Sequence, residues 1–259
     1  MARTHINVSM DNGTQDAVAV EEPLEIRVDG APLAVTMRTP GHDEELALGF
    51  LFGEGLLDAD PARPVGLTAD LAANTVEVAG PLARSATARS FYTTSSCGVC
   101  GKGALEEVAV AAAQQDPAAG PVVDRGLLAA LPDRLSAAQP GFAATGGLHA
   151  TGLFDAGGAL LVAREDVGRH NAMDKVVGRA LLDGGLPLAG RLLCVSGRLS
   201  FELVQKAAVA GAPILVGVGA PTSLAIALAG DRGLTLCGFA RAGRVNVYTG
   251  AERVAGTRG

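Results

Sequence analysis

The sequence predicts an α/β protein, α+β when taken as a whole: a small β-rich front segment, then a larger layered sheet with helices on both faces. Three observations carry this. The front third shows the two-residue alternation of half-buried strands, interrupted by one helical run. In the back half, short apolar runs and longer helical runs take turns, which is the rhythm of a layered α/β sheet. The chain has 259 residues, 48% hydrophobic and 19% charged, so it is globular and long enough for one large domain or two modest ones.

The elements follow in order. Residues 1–20 are polar, lack the apolar stretch of a signal peptide, and are expected as a flexible tail. "EEPLEIRVDG" and "APLAVTMRTP" predict two strands joined at Asp29-Gly30, a hairpin dipeptide. "GHDEELALGFLFGEGLL" predicts a helix, with Asp43, Glu44 and Glu45 favourable in its first turn and Gly55 near its end. "NTVEVAG" is a further short strand. The run "TTSSCGVCGKGAL" (93–105) has almost no bulk, and a helical "GALEEVAVAAAQQD" overlaps its end. The Pro/Gly patch at 116–121 is the best internal boundary. It divides a β-rich domain over 21–118, with a cysteine loop at 93–103, from a second domain over 119–259.

In that second part "GLHATGLFD" and "GALLVARED" read as paired strands about Gly157-Gly158, and "VGRHNAMDKVVGRALLDGG" as a helix closed by two glycines. "RLLCVSG", "APILVGVG", "GLTLCGFAR" and "RVNVYTG" read as strands, with "LSFELVQKAAVAG" and "APTSLAIALAG" as helices among them.

Composition excludes some functions. A net charge of −6, aromatics at 3% and no Trp give neither the basic field nor the stacking platforms of a nucleic-acid binder. An anionic ligand therefore needs a local cluster of Arg and Lys. No run approaches the ~18 apolar residues of a membrane helix. Four cysteines make no disulfide framework, so a cytoplasmic protein is expected.

The pair Cys97-Gly-Val-Cys100 has three readings. Zinc needs four N/S ligands, whereas Cys194 and Cys237 stand alone in apolar strands and no H-x₃₋₅-H pair exists, so no metal site is expected. A redox dithiol gains a lowered pKa at a helix start. A sulfur carrier needs a nucleophilic, exposed thiolate on an arm that travels, and a Thr/Ser/Gly loop suits it. The residues alone leave redox and carrier roles even.

Three further clusters concern ligand binding. In "REDVGRHNAMDK" (164–175), His170 and Asp174 stand i,i+4, as do Asn171 and Lys175, so polar groups meet on one helical surface. The alternative is a solvated helix end. "VSGRLS", with Ser196, Gly197 and Arg198, and "VGVGAPTS" lie between strand and helix, where open α/β sheets form their binding crevice and attract phosphates. "FARAGR" (Phe239, Ala240, Arg241, Ala242, Gly243, Arg244) places two arginines in a loop suited to phosphate or a carbonyl-rich base.

Taken together, "TPGHDEELALGFLFGEG", "SSCGVCGK", "GGLHATGLF", "REDVGRHNAMDKVVG", "SGRLSFELVQKA", "GAPTSLAI" and "GFARAGRVNVYTG" resemble the FdhD/NarQ family, the formate dehydrogenase accessory sulfurtransferases, over about residues 22–254. The resemblance implies a C-terminal three-layer, cytidine deaminase-like domain with a mixed sheet. It implies a homodimer that takes persulfide sulfur from a cysteine desulfurase onto Cys97, with Cys100 its neighbour in the motif. It further implies transfer to the bis(molybdopterin guanine dinucleotide) molybdenum cofactor, which formate dehydrogenase then uses. Phe239–Arg244 matches the family's cofactor-binding stretch, so a guanine nucleotide such as GDP is expected to mimic the cargo. Ser196–Arg198, His170, Asp174 and Lys175 are expected around the same cargo. A non-catalytic cofactor-binding chaperone is the alternative. The chain departs from the family after "VYTG", where "AERV" stands in place of the usual proline. An active deaminase is not expected, since the H-x-E and P-C-x-x-C pattern is missing: "HAT" lacks the Glu and Ser96 precedes Cys97.

Overall fold

The structure is a computed structural model that describes residues 4–57, 66–70, 73–80, 91–93 and 120–256. Along the chain these residues form β1 (His5–Ser9), β2 (Gln15–Ala19), β3 (Glu22–Val28), β4 (Ala31–Arg38), α1 (Asp43–Gly53), β5 (Gly66–Asp70), β6 (Thr75–Ala79) and β7 (Phe91–Thr93). Then come β8 (Val123–Asp124), α2 (Arg125–Ser136), α3 (Pro140–Thr145), β9 (His149–Asp155), β10 (Leu160–Asp166), α4 (Arg169–Leu182) and β11 (Arg191–Val195). The chain ends with α5 (Phe201–Val209), β12 (Ile214–Gly217), α6 (Ser223–Asp231), β13 (Thr235–Arg241), β14 (Arg244–Thr249) and β15 (Val254–Ala255). None of the described helices is long and apolar enough to cross a membrane.

The chain forms two compact units, neither continuous in sequence. The first draws on Met1–Val110, Pro140–Leu148 and Glu165–Gly184. Its five-stranded sheet runs β5-β6-β3-β4-β7. Asp29 and Gly30 join β3 to β4 with φ of 49° and 80°, the two positive values of a type I′ turn that suits a twisted hairpin. Leu24, Ile26, Val28, Val76 and Val78 form the buried face. Helix α1 is buried all round except at Glu44, because it packs on this sheet and on α4. Residues 5–19, expected as a loose tail, instead pair as the β1–β2 hairpin, which packs against α3. Alternation is short there and polar on one face, so the strand signal is weak.

The second unit draws on Ala111–Gln139, His149–Arg164 and Gly185–Gly259. Its six-stranded sheet has the order β10-β9-β11-β12-β13-β14. β11, β12 and β13 are parallel, while β9 and β14 flank them antiparallel, so the sheet is mixed as expected. Leu128, Leu131 and Leu135 of α2 pack with Phe154, Leu192, Cys194, Ile214, Val216 and Cys237 on one face. The alternate residues Leu193, Leu215 and Leu236 are equally buried on the opposite face, where α6 packs on β13 and β14. The unit therefore has three layers.

The division differs from a single cut near residue 118. Helix α4, expected in the C-terminal domain, clusters with the first unit, because Gly178 brings it into backbone contact with α1: a Cβ there would collide with the Glu45 carbonyl, as one at Gly49 would with that of Asp174. The expected helix after the cysteine loop lies outside the described residues.

Candidate functional site

In the second unit, three turns are tied together where the parallel strands end. From β11 the chain passes through Ser196–Ser200 into α5, and from β12 through Val218–Thr222 into α6. Gly219 N donates to Gly197 O (3.0 Å), Leu199 N to Ala220 O (3.0 Å) and Thr222 N to Leu199 O (3.0 Å). Phe239 N, from β13, donates to Gly219 O (3.1 Å) and adds the third strand to the cluster. Glycine is required at this junction. A Cβ at Gly219 would come within 2.9 Å of Arg198 Cα, and one at Gly238 within 3.1 Å of Gly219 O. Gly219 belongs to the "VGVGAPTS" turn read from the sequence, whereas Gly238 was not singled out; both were legible as turn glycines but not as a turn-to-turn contact.

Around this cluster the expected cargo residues divide. Arg198, Phe239, Arg241, Ala242, Gly243 and Arg244 are exposed, Phe239 to 39%. Phe239 and Ala242 hold φ of 53° and 50°, a conformation that costs an L-residue about 1–2 kcal/mol. Gly243 follows at 74°, closing the β13–β14 turn, with a register shift between Gly238 and Arg241. Across that turn Arg241 and Arg244 are direct partners. Like charges placed opposite each other are unfavourable, so the pair is a ready acceptor of an anion.

Two of the expected residues have structural roles here. Ala240 is fully buried in the core cluster, so its side chain cannot meet a cargo. Ser196 serves the ladder: its hydroxyl accepts from Ala150 N (2.9 Å), while its own N–H donates to Ala150 O (3.0 Å). Gly197 lies half-buried between the turns.

His170, Asp174 and Lys175 lie on α4, in the first unit. They do not form a solvated helix face. Lys175 is 1% exposed and pairs with Asp166, fully buried, at 2.7 Å. Its ammonium also donates to Thr39 O (2.9 Å) and Glu165 O (3.4 Å). These partners engage all three ammonium protons, so Lys175 acts as a structural anchor. Asp166 in turn accepts from Thr39 N (3.1 Å), Gly168 N (2.8 Å) and Asn171 Nδ2 (3.0 Å). Asn171 also donates to Met37 O (2.7 Å). The network fixes the turn that opens α4 against the end of β4. Asp174 is likewise buried, at 3%, and His170 is half-buried. The i,i+4 spacing identified a polar cluster; burial, which spacing does not report, gives it a different role.

Cys97 and Cys100 lie outside the described residues. Cys194 and Cys237 are fully buried, as their apolar strands suggested. Burial pushes both thiols up, Cys237 to about 12 despite the opposing Arg125 cation, so neither is a thiolate nucleophile near neutrality.

Residues 19–255 match the model of the FdhD/NarQ family. A protein of Streptomyces avermitilis named sulfur carrier protein FdhD is 52% identical, the match covering 93% of this chain and 89% of that one. A relative of the same name from Sulfurisphaera tokodaii is 44% identical, with 92% of each chain covered. Among solved structures, a putative formate dehydrogenase accessory protein from Desulfotalea psychrophila superposes with a TM-score of 0.74 at 27% identity, covering 97% of both chains. Coverage of this extent spans both units and all three turns, and the chain belongs to the FdhD/NarQ family.

Proposed function

We propose that the protein is a sulfur carrier in formate dehydrogenase maturation. In this reading it is a sulfurtransferase that accepts sulfur on Cys97 and delivers it to the bis(molybdopterin guanine dinucleotide) molybdenum cofactor, its cargo. The Cys97 thiolate attacks the outer sulfur of a cysteine desulfurase persulfide. A new S–S bond forms at Cys97, and the desulfurase cysteine leaves as a thiolate. For release, the Cys100 thiolate attacks the Cys97 sulfur, which frees hydrosulfide and leaves a Cys97–Cys100 disulfide. The Cys97 and Cys100 sulfurs together give up two electrons in becoming the disulfide, and these reduce the transferred sulfur to hydrosulfide, so the step balances without an outside reductant.

The observation that carries the cargo half is the β13–β14 turn. Arg241, two residues after the exposed Phe239, opposes Arg244 there. Two guanidiniums suit a diphosphate, and an exposed ring suits a base. The names of the relatives support the sulfur half.

Intact-protein mass after incubation with a desulfurase and cysteine tests the carrier step. Wild type is expected to gain one sulfur atom and Cys97→Ala none. An equal gain in both, or none in either beside a competent desulfurase, sinks it. GDP titration tests the cargo site: Arg241→Gln with Arg244→Gln should weaken binding at least tenfold, while Cys97→Ser leaves it unchanged. If Cys97→Ala still activates formate dehydrogenase in cells, the protein is a cofactor chaperone instead.

A further inference from the structure

We propose that Asn12 is a modification site, converted to aspartate or isoaspartate through a succinimide whose formation the β1–β2 hairpin gates. Asn12-Gly13 is the one Asn-Gly pair in the sequence. Glycine has no Cβ to shield its amide nitrogen, so the Gly13 nitrogen can reach the Asn12 side-chain carbonyl carbon more readily than any other residue's could. Residues 9–16 are all exposed, so water and hydroxide have access.

The folded turn blocks the reaction at both reacting groups. Gly13 N, the nucleophile, donates to Met10 O (3.0 Å), and Met10 N donates to Thr14 O (2.9 Å). Asn12 Oδ1 accepts from Thr14 N (2.9 Å) and from the Thr14 hydroxyl (2.7 Å), which tie the amide to Thr14. Attack requires these bonds to break. The turn lies at the exposed tip of the hairpin, so its local opening is the gate.

The step balances with water alone. The Gly13 nitrogen loses its proton and bonds to Asn12 Cγ, closing the ring, and the side-chain nitrogen leaves as ammonia. Water then opens either imide carbonyl. Opening one way gives aspartate; opening the other gives isoaspartate, with an extra methylene in the main chain. The Ser9↔Gln15 register depends on the length of this turn, so isoaspartate prevents the hairpin from closing in register again. The site thereby works as a one-way timer on the hairpin.

The test is incubation of the full chain at mildly alkaline pH, native and in denaturing urea, followed by peptide mapping with isoaspartate detection. Asn12 should modify at least about tenfold more slowly in the native protein, because exchange through local opening scales with the open fraction. Thr14→Val, which removes one hydrogen bond to Asn12, should raise the native rate about fivefold. Asn12→Gln should abolish the product. Equal native and unfolded rates, or a Thr14→Val rate no higher than wild type, would overturn the proposal.

Discussion

Lys175 and Asp166 put an ammonium and a carboxylate where water cannot reach them, at 1% and 0% exposure. Breaking such a pair by removing one partner strands the other, which costs about 3–5 kcal/mol; removing both costs much less. Lys175→Met and Asp166→Asn should each lower the denaturant midpoint steeply, and the double variant should recover much of the loss. A Lys175→Met protein as stable as wild type that no longer binds GDP would show the lysine to be a cargo ligand after all. The buried thiols give a pH signature. Cys194 and Cys237 stay protonated in the folded chain above their ordinary value of 9.0, whereas the unfolded chain loses those protons. Folded-state pKa values are raised, so the stability they contribute is fully present below about pH 9 and is lost as pH climbs toward 12. Each thiol adds a slope of about 1.4 kcal/mol per pH unit in that window. Denaturation midpoints between pH 8 and 11 should fall less steeply for Cys194→Val than for wild type, and identical slopes would refute the effect.

At the scale of elements, the α1–α4 crossing is set by two glycines. A Cβ at Gly49 would meet the Asp174 carbonyl and one at Gly178 the Glu45 carbonyl, and backbone cannot swing aside as a side chain does. Gly49→Ala and Gly178→Ala should each cost about 1–3 kcal/mol or more, even though alanine is the better helix former. Thermal melts that rise instead of falling would mean the helices are further apart. These same elements show what the sequence did and did not make legible. The strands and helices from β9 to β14 were readable because each has its own periodicity and turn residues. Helix α2 was not identified: Pro132 lies within it and reads as a breaker, although Asp124 caps its start by accepting from Gly126 N and Leu127 N. The pairing of α4 with α1 was also hidden. Gly49 and Gly178 look like ordinary helical glycines until the facing helix is known. The arginines of the β13–β14 turn were legible as charge, but their opposition across the strands depends on register, and the burial of Ala240 on the fold.

For the whole molecule, the relevant quantity is a net charge of −6 against the local pair Arg241 and Arg244. A phosphate-bearing ligand approaching this chain is repelled by the total charge and attracted by the pair. Range separates the two effects. The Debye length is about 30 Å at 0.01 M ionic strength and about 8 Å at 0.15 M. At low salt the whole molecule is felt; near physiological salt only the nearest charges are. Screening should therefore remove repulsion first and attraction later, so GDP affinity should pass through a maximum as salt increases from 0.01 M to 1 M. Charge-steered association shows in the on-rate, so the rising limb should appear there and the falling limb in the off-rate. With Arg241→Gln and Arg244→Gln together the attraction goes and the repulsion stays, leaving a weak affinity that only rises with salt. Stopped-flow binding of a fluorescent guanine nucleotide across this range measures both limbs. A wild-type affinity that falls steadily from the lowest salt would mean that the turn's local field outweighs the acidic surface at every distance. Steering would then begin with Arg241 and Arg244 themselves, and acidity elsewhere would have no part in how the cargo arrives.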